Sequence, residues 1–293
     1  SAETVTIGDE RENNAQTGFV NPFEMGVIVT PRGAAVESVK LSRHRSQPPK
    51  DRKNPTDDPY PLLKRVTDPD SGKVFDSFAT ESVRLIEDKV TVPLDNVVWS
   101  LRKEEAEAGG EKAVLQTRVQ SGTGAAAIDL LEITKTYLLE RGSPRLVVTL
   151  EARNLSDKPR SVILMERGPL GIQAEDPRSE YRRVVSAVLD TKSGQISSGT
   201  TVTRANVVKA EDAKYELLPG EGRQRLWTAV GNKYFVCIVD PQPLVKGAKY
   251  PDYVGQVFGW VPLPKQSQAD DLTIEWLLKP KNPLEPRGQP GDA

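Results

Sequence analysis

The only cysteine and the only histidine of the chain are the first residues to consider for catalysis. A catalytic thiolate usually needs a neighbouring imidazole to take its proton. Cys237 lies in Tyr234–Val239, the longest uninterrupted apolar run of the chain, which is typical of an inert core cysteine. His44 lies between two arginines shortly before Pro48 and Pro49, which favours a solvated loop residue. These two residues therefore predict no thiol or imidazole catalysis.

Metal and acid–base sites are the next kinds of chemistry to consider. Asp68-Pro69-Asp70-Ser71-Gly72 is only distantly like a calcium loop, and its residue types are better explained by an ordinary turn. A single histidine and a single cysteine exclude a histidine pair and a thiolate cluster. The 41 acidic residues could form many carboxylate pairs, and Glu166, at the end of an apolar strand, is the one to inspect.

Three further motifs have a structural explanation. Gly122-Thr123-Gly124 lacks the third glycine and the strand-to-helix context of a phosphate loop, so a flexible connection is expected. The basic run Arg43–Lys53 could touch lipid headgroups, although a solvated loop is the simpler interpretation. Asn154-Leu155-Ser156 fits the glycosylation pattern, but turn chemistry alone explains it. The sequence thus predicts no catalytic, cofactor-binding or metal site, and no cofactor.

Composition and charge limit the classes of protein to which the chain could belong. The 293 residues are 37% hydrophobic, which is enough for a sizeable core. Forty basic and 41 acidic residues give a net charge of -1, so global charge implies neither nucleic acid nor an anionic membrane as partner. The longest apolar run is too short to cross a bilayer. The chain starts with Ser1 and is interpreted as an excised, soluble fragment that is expected to be monomeric.

The elements that must position any site are predicted to be β-strands. In Leu131–Leu139, alternation places Leu131, Ile133, Lys135, Tyr137 and Leu139 on one face. Arg141–Pro144 then turns the chain into a strand at Leu146–Ala152, and a second turn leads to Ser161–Met165. We therefore expect three consecutive antiparallel strands.

Similar short runs, rich in β-branched and aromatic residues, recur along the chain, and no stretch has a convincing helical stripe. The predicted fold class is all-β, an antiparallel β-sandwich with little helix. The charged, proline-rich segment Arg43–Lys73 is expected to be a surface loop, and Lys281–Ala293 a frayed tail. The remaining predicted strands are Met25–Val29, Val36–Leu41, Val83–Ile86, Val97–Arg102, Val114–Val119, Val184–Leu189, Leu226–Val230, Tyr234–Val239, Val254–Val261 and Leu272–Leu278.

Four blocks of the sequence, taken in order, carry a resemblance to a known family: Thr6–Gly8 with Met25–Val29 and Ala34–Leu41, Thr134–Tyr137 with Leu150 and Asn154, Leu226–Phe235, and Ile274–Lys281. Together they resemble the periplasmic domain of YidC-type membrane-protein insertases. The last block ends in Leu278-Lys279-Pro280 where the family normally has Gly before Pro, and the proline-rich segment 43–73 is an insertion relative to that pattern.

The resemblance implies one β-super-sandwich domain over residues 1–280, of galactose-mutarotase-like architecture, followed by a tail at 281–293 that leads to an absent transmembrane region. It implies a non-enzymatic accessory or scaffold domain, on the periplasmic face of the inner membrane, of a multi-pass insertase that assists insertion and folding of membrane proteins. The implied partners are Sec translocon components, nascent membrane proteins and the rest of its own chain.

Two alternatives stay open. A mutarotase- or lyase-type enzyme would usually pair a carboxylate with imidazoles, of which this chain has one. A carbohydrate-binding module would need exposed aromatic platforms, whereas Trp99, Trp227, Trp260 and Trp276 lie in strand-like runs where burial is expected. We also expect Tyr234 and Phe235 to pack against the core.

Overall fold

A computed structural model describes residues 3–14, 17–45, 59–122, 127–172, 182–242, 250–266 and 270–286. The chain divides into two compact units. The first unit consists of Ser1–Lys64, Asp95–Pro159 and Leu284–Ala293, and the second of Arg65–Leu94 and Arg160–Pro283. The expected single domain over 1–280 stays a prediction.

The first unit contains two four-stranded antiparallel sheets. One has the order β1-β2-β3-β4 and the other β12-β11-β10-β9. The strands are β1 Val5–Gly8, β2 Met25–Thr30, β3 Ala35–Arg45, β4 Pro59–Lys64, β9 Ser100–Glu105, β10 Glu111–Ser121, β11 Ile128–Leu139 and β12 Leu146–Asn154. A 3₁₀ turn at Glu107–Gly109 connects β9 and β10.

The two sheets of the first unit pack face to face. The face of β11 that packs is the one predicted from the alternation of Leu131–Leu139. Ile133 and Tyr137 are fully buried, and the Tyr137 hydroxyl donates to the Ala34 carbonyl at 2.7 Å. Strand β1 lies against the second sheet, where the Glu111 carboxylate accepts from the Gly8 amide at 2.7 Å. Gly8 has a φ of +73°, and an added Cβ would lie 2.3 Å from the Met25 carbonyl oxygen, so this contact requires glycine.

The second unit contains a six-stranded antiparallel sheet, a four-stranded antiparallel sheet and a two-stranded hairpin. Their orders are β16-β19-β20-β13-β7-β8, β15-β14-β17-β18 and β5-β6. The strands are β5 Val66–Thr67, β6 Val74–Phe75, β7 Thr80–Leu85, β8 Val90–Pro93, β13 Val162–Arg167, β14 Arg183–Asp190, β15 Ile196–Thr203, β16 Lys214–Glu216, β17 Arg223–Gly231, β18 Val236–Val239, β19 Val254–Trp260 and β20 Thr273–Leu278.

The larger sheets of the second unit face each other at Gly259, whose open side meets Val184, Val202 and Val207. Two short helices, α1 Arg204–Val208 and α2 Tyr250–Tyr253, and a 3₁₀ turn at Glu211–Ala213 accompany the strands. The all-β antiparallel sandwich predicted from the alternation is confirmed. No helix in the described ranges is long and apolar enough to cross a membrane.

Two local expectations, one about strand pairing and one about a loop, were wrong. Strand β13, which comes after β12 in the chain, pairs with β7 and β20 and does not continue the β11–β12 hairpin. The segment 43–73 is not a single loop, because β3 extends to Arg45 and β4 to β6 lie within it, with Tyr60 and Leu63 buried. Residues 46–58 lie outside the described part of the chain.

The tail is ordered at its start. The Leu284 carbonyl accepts a 2.9 Å hydrogen bond from the buried Asn154 amide, which fixes this residue to the end of β12. Residues 287–293 lie outside the described residues.

Candidate functional site

One side of the six-stranded sheet in the second unit carries a cluster of charged side chains that sequence reasoning missed. Neighbouring strands place Arg167 directly opposite Glu275, and Lys214 opposite Trp260. Lys214 donates to both carboxylate oxygens of Glu275 at 2.8 Å, and Arg167 forms an ion pair with Glu81. We call Glu81, Arg167, Lys214, Trp260 and Glu275 the charged cluster.

Aromatic rings and a third ion pair, between Arg65 and Asp76, surround the Arg167 guanidinium of the charged cluster. The Arg167 guanidinium lies 5.2 Å from the centre of the Phe75 ring and 5.3 Å from that of Trp260. Its Nη1 donates to the Asp76 carbonyl at 3.0 Å, and the Asp76 carboxylate is held by Arg65 at 2.7 and 2.9 Å. Two cation–π contacts, the ion pair with Glu81 and the hydrogen bond to the Asp76 carbonyl therefore hold the Arg167 guanidinium in place.

The hairpin β5–β6 contributes to this cover. Val66 and Phe75 pack with Leu170 and Leu263, and Trp260 packs against this apolar group. Trp260 itself is half-buried, and the Lys214 side chain is 29% exposed, whereas Glu275 is almost fully buried. Solvent therefore reaches the charged cluster on the side of Lys214 and Trp260.

Burial gives Glu275 unusual acid–base properties. Desolvation raises the pKa of Glu275 to about 7, against the opposing effect of the hydrogen bond from Lys214. Repulsion by the nearby Glu81 carboxyl group acts in the same direction as burial and is included in this value. A carboxyl group of this kind can hold or release a proton near neutral pH, which is the property of a general acid or base.

A second feature of the second unit is an apolar patch at the edge strand β18. Tyr234, Val236 and Ile238 are 64%, 57% and 53% exposed. Val236 lies opposite Gly231 and Ile238 opposite Ala229, so the neighbouring strand offers only small residues beside them. Tyr234, Val236 and Ile238 stand at every second position, so their exposed side chains lie next to one another on one side of the strand. They therefore form a continuous apolar patch, unlike single apolar residues scattered over a surface. We call Tyr234, Val236 and Ile238 the β18 patch.

The turn that presents Tyr234 is held in a fixed shape. The Asn232 side-chain oxygen accepts from the Tyr234 amide at 2.9 Å and from the Phe235 amide at 2.7 Å. The backbone N–H of Asn232 donates to the Phe235 carbonyl at 2.9 Å, and the Lys233 ammonium lies 5.4 Å from the centre of the Tyr234 ring. The exposed ring is therefore part of an ordered turn.

The structure places the sequence-predicted residues apart from one another. Cys237 lies on β18 and is partly exposed, although burial of its thiol raises its pKa to about 12. His44 is exposed on β3, so its expected loop is a strand. Glu166 is buried on β13, opposite Trp276 and Thr80, and is not a member of the charged cluster. No group of three metal-ligating residues occurs within the described ranges.

The turn predictions are confirmed where they can be checked. Between β5 and β6, Asp68 accepts from the Ser71 hydroxyl at 2.5 Å and from the Asp70 amide at 3.1 Å. Asn154 binds the Ser156 amide and hydroxyl at 3.0 and 2.7 Å, as turn chemistry requires. Thr123 and Gly124, and most of the basic run 43–53, lie outside the described residues.

The aromatic predictions hold in part. Trp99 and Trp276 are buried, whereas Trp227, Trp260 and Phe235 are half-buried. Tyr234 was expected in the core and is instead exposed, because it occupies the turn between β17 and β18. The apolar run around it was a misleading signal, since no other strand of the described residues pairs with the outer edge of β18.

Comparisons with known proteins add structural likenesses only. No family model and no curated protein matches the chain. Among solved structures, the Slr1438 protein from Synechocystis sp. PCC 6803 is similar over 98% of this chain and 92% of its own, with 11% identity and a TM-score of 0.44. A putative aldose 1-epimerase from Escherichia coli K12 is similar over 95% of this chain and 88% of its own, with 10% identity and a TM-score of 0.33. Neither likeness carries a conclusion about activity.

Proposed function

We propose that the chain is a non-catalytic extracytoplasmic accessory domain of a YidC-type membrane-protein insertase. In this proposal the domain lies on the periplasmic face of the inner membrane and holds partner proteins, among them Sec translocon components and nascent membrane proteins. The support from sequence is the order of the four resembling blocks.

The structural observation that carries the proposal is the β18 patch. A scaffold domain needs a surface that buries apolar groups against a partner, and exposed apolar patches mark such surfaces. Tyr234 supplies a large ring held by an ordered turn, so little conformational entropy is lost when it is covered. Phe235, beside it, is half-buried and supports the turn.

The test uses the full-length protein in its membrane, with a photoreactive side chain at position 236. We expect cross-links to translocon components or to a nascent membrane protein, and their loss when Tyr234 and Ile238 are both changed to Ser. The matched control is Ile196→Ser, because Ile196 is 67% exposed on β15, the opposite edge of the same sheet. Unchanged cross-links in the Tyr234/Ile238 variant would remove the patch from the proposal.

A second candidate function, a carbohydrate-binding or mutarotase-like module, is favoured by the charged cluster. A half-buried Trp260 beside Lys214 and a carboxyl pair offers a ring face and polar groups, the combination by which sugars are held. Calorimetric titration and polarimetry with free hexoses would decide between the two. Saturable binding that Trp260→Ala abolishes would favour the sugar-binding module, and turnover that Trp260→Ala abolishes would contradict the non-catalytic scaffold.

A further inference from the structure

The outer edge of β12 in the first unit is open and apolar. β12 is the terminal strand of its sheet, and no strand of the described residues pairs with its outer side. It runs for nine residues, and Val147 and Val148 are 43% and 38% exposed. A long, uncovered, apolar edge is a template for pairing with another strand.

The inner face of β12 continues the core of the first unit up to this edge. Val148 lies opposite Tyr137 and Leu150 opposite Lys135, both of which are buried. Leu146 and Ala152 share this face and are half-buried. An added strand would therefore extend an existing buried face, provided that its own apolar residues point to the same side.

A second copy of the same strand meets this condition. When two identical antiparallel strands are related by a two-fold axis perpendicular to the sheet, residues on the inner face of one copy meet inner-face residues of the other. With the axis at Val148, that residue faces itself and Leu146 faces Leu150. Val147 then faces Thr149 on the outer face.

Charge selects this register. With the axis at Val148, Arg145 faces Glu151 twice, once on each side of the axis. Arg145 and Glu151 are both exposed, and neither forms an ion pair within the described residues. An axis at Thr149 would place Arg145 opposite Arg153, and an axis at Leu150 would require Asn154, whose side chain is already bound to Lys158 and Leu284. The first alternative is unfavourable because like charges lie directly opposite, and the second because it uses a residue whose side chain already has partners.

We propose that two copies of this chain associate through antiparallel pairing of their β12 strands, centred on Val148, so that two four-stranded sheets become one continuous sheet. The contact consists of one strand from each copy, which is a small interface, so the association is weak and depends on concentration. It differs from the expectation of a monomer, and it does not depend on the proposed insertase function.

Disulfide trapping tests the register directly. In a Cys237→Ser background, Val148→Cys places two thiols on facing residues, whose Cα atoms lie about 4.5–5.5 Å apart in an antiparallel pair. We expect rapid oxidation to a covalent dimer. The matched control, Ala152→Cys on the same face, would be separated from its copy by eight residues, or about 27 Å, and should stay monomeric.

Charge exchange tests the specificity by sedimentation over a micromolar to high-micromolar range. Glu151→Arg should raise the dimer dissociation constant by about tenfold, because two attractive pairs become repulsive. Adding Arg145→Glu to that variant should restore the wild-type value. A monomer throughout the range, or a dimer indifferent to both changes and not trapped at position 148, would overturn the proposal. Loss of self-association on Tyr234→Ser would place the contact at the β18 patch instead.

Discussion

Lys214 donates to both carboxylate oxygens of Glu275 at 2.8 Å, while the negative charge of Glu81 opposes ionisation of the Glu275 carboxyl group. The lysine favours the charged form of Glu275, and burial and Glu81 favour the protonated form. Burial has the larger effect, so the folded protein keeps a proton on this carboxyl group at pH values where an exposed glutamate has lost it.

Stability should therefore depend on pH through Glu275. Its pKa is raised from 4.5 to about 7 in the folded state, so between these values the native protein binds more protons than the unfolded chain. The contribution of Glu275 to the free energy of unfolding is full below pH 4.5 and is lost as the pH rises through about 7. Urea unfolding at a series of pH values should show this fall in wild type and a flatter profile in Glu275→Gln.

The exposed Glu105 supplies the control for that experiment. Glu105→Gln removes a carboxyl group from β9 in the other unit, and its profile should follow wild type. Parallel profiles for wild type and Glu275→Gln would show that Glu275 does not retain its proton on folding.

Aromatic truncations should separate core from surface. Trp276 is 4% exposed, so Trp276→Ala should lower the free energy of unfolding by roughly 3–5 kcal/mol. Phe235 is half-buried at the end of its turn, and Phe235→Ala should cost less than about 2 kcal/mol. Equal losses in denaturant titrations would contradict the difference in burial.

Cys237 should react slowly in the native protein. Burial raises the pKa of its thiol to about 12, so very little thiolate exists at pH 8, although part of the residue surface is exposed. A chromogenic disulfide reagent should label it slowly in buffer and rapidly in urea. Fast labelling in buffer at pH 8 would show that the thiol is reached and ionised in the folded chain.

Replacement of the Asn154 side-chain amide by a carboxylate should destabilise the fold. Its amide nitrogen donates to the Lys158 and Leu284 carbonyls at 2.7 and 2.9 Å in a buried position. Asn154→Asp would place a carboxylate against two carbonyl oxygens, and we expect a loss of roughly 1–3 kcal/mol or more at pH 7 that is smaller in acid. Asn282 is exposed, so Asn282→Asp is the matched control and should leave the urea midpoint of unfolding nearly unchanged.

Strands were predictable because alternation is a local signal. The five residues assigned to the inner face of β11 are all buried, Lys135 among them. Pairing was less predictable, since β13 joins strands that lie far away in sequence, and a short turn after β12 suggested a neighbour that it does not have. Sequence proximity does not decide which edge a strand meets.

The charged cluster could not be assembled from the sequence, because Glu81, Arg167, Lys214 and Glu275 come from four separate strands. One signal was present: Glu275 stands between Ile274 and Trp276 in the apolar run 274–278, which it alone interrupts with a charge. A charged residue inside such a run needs a partner when it is buried. The identity of that partner depends on the order of strands in the sheet.

The interleaving of the two units has a consequence for synthesis. Strand β7 lies between β13 and β8, yet it belongs to Arg65–Leu94, which leaves the ribosome before β9 to β12 of the first unit. The chain therefore cannot complete the folding of one unit during synthesis before the ribosome begins to make the other. The hairpin β7–β8 must wait, with one edge unpaired, until residues 162–167 emerge. Nascent chains stalled before Arg160 should hold that hairpin accessible to proteases and to chaperones that bind exposed strand edges.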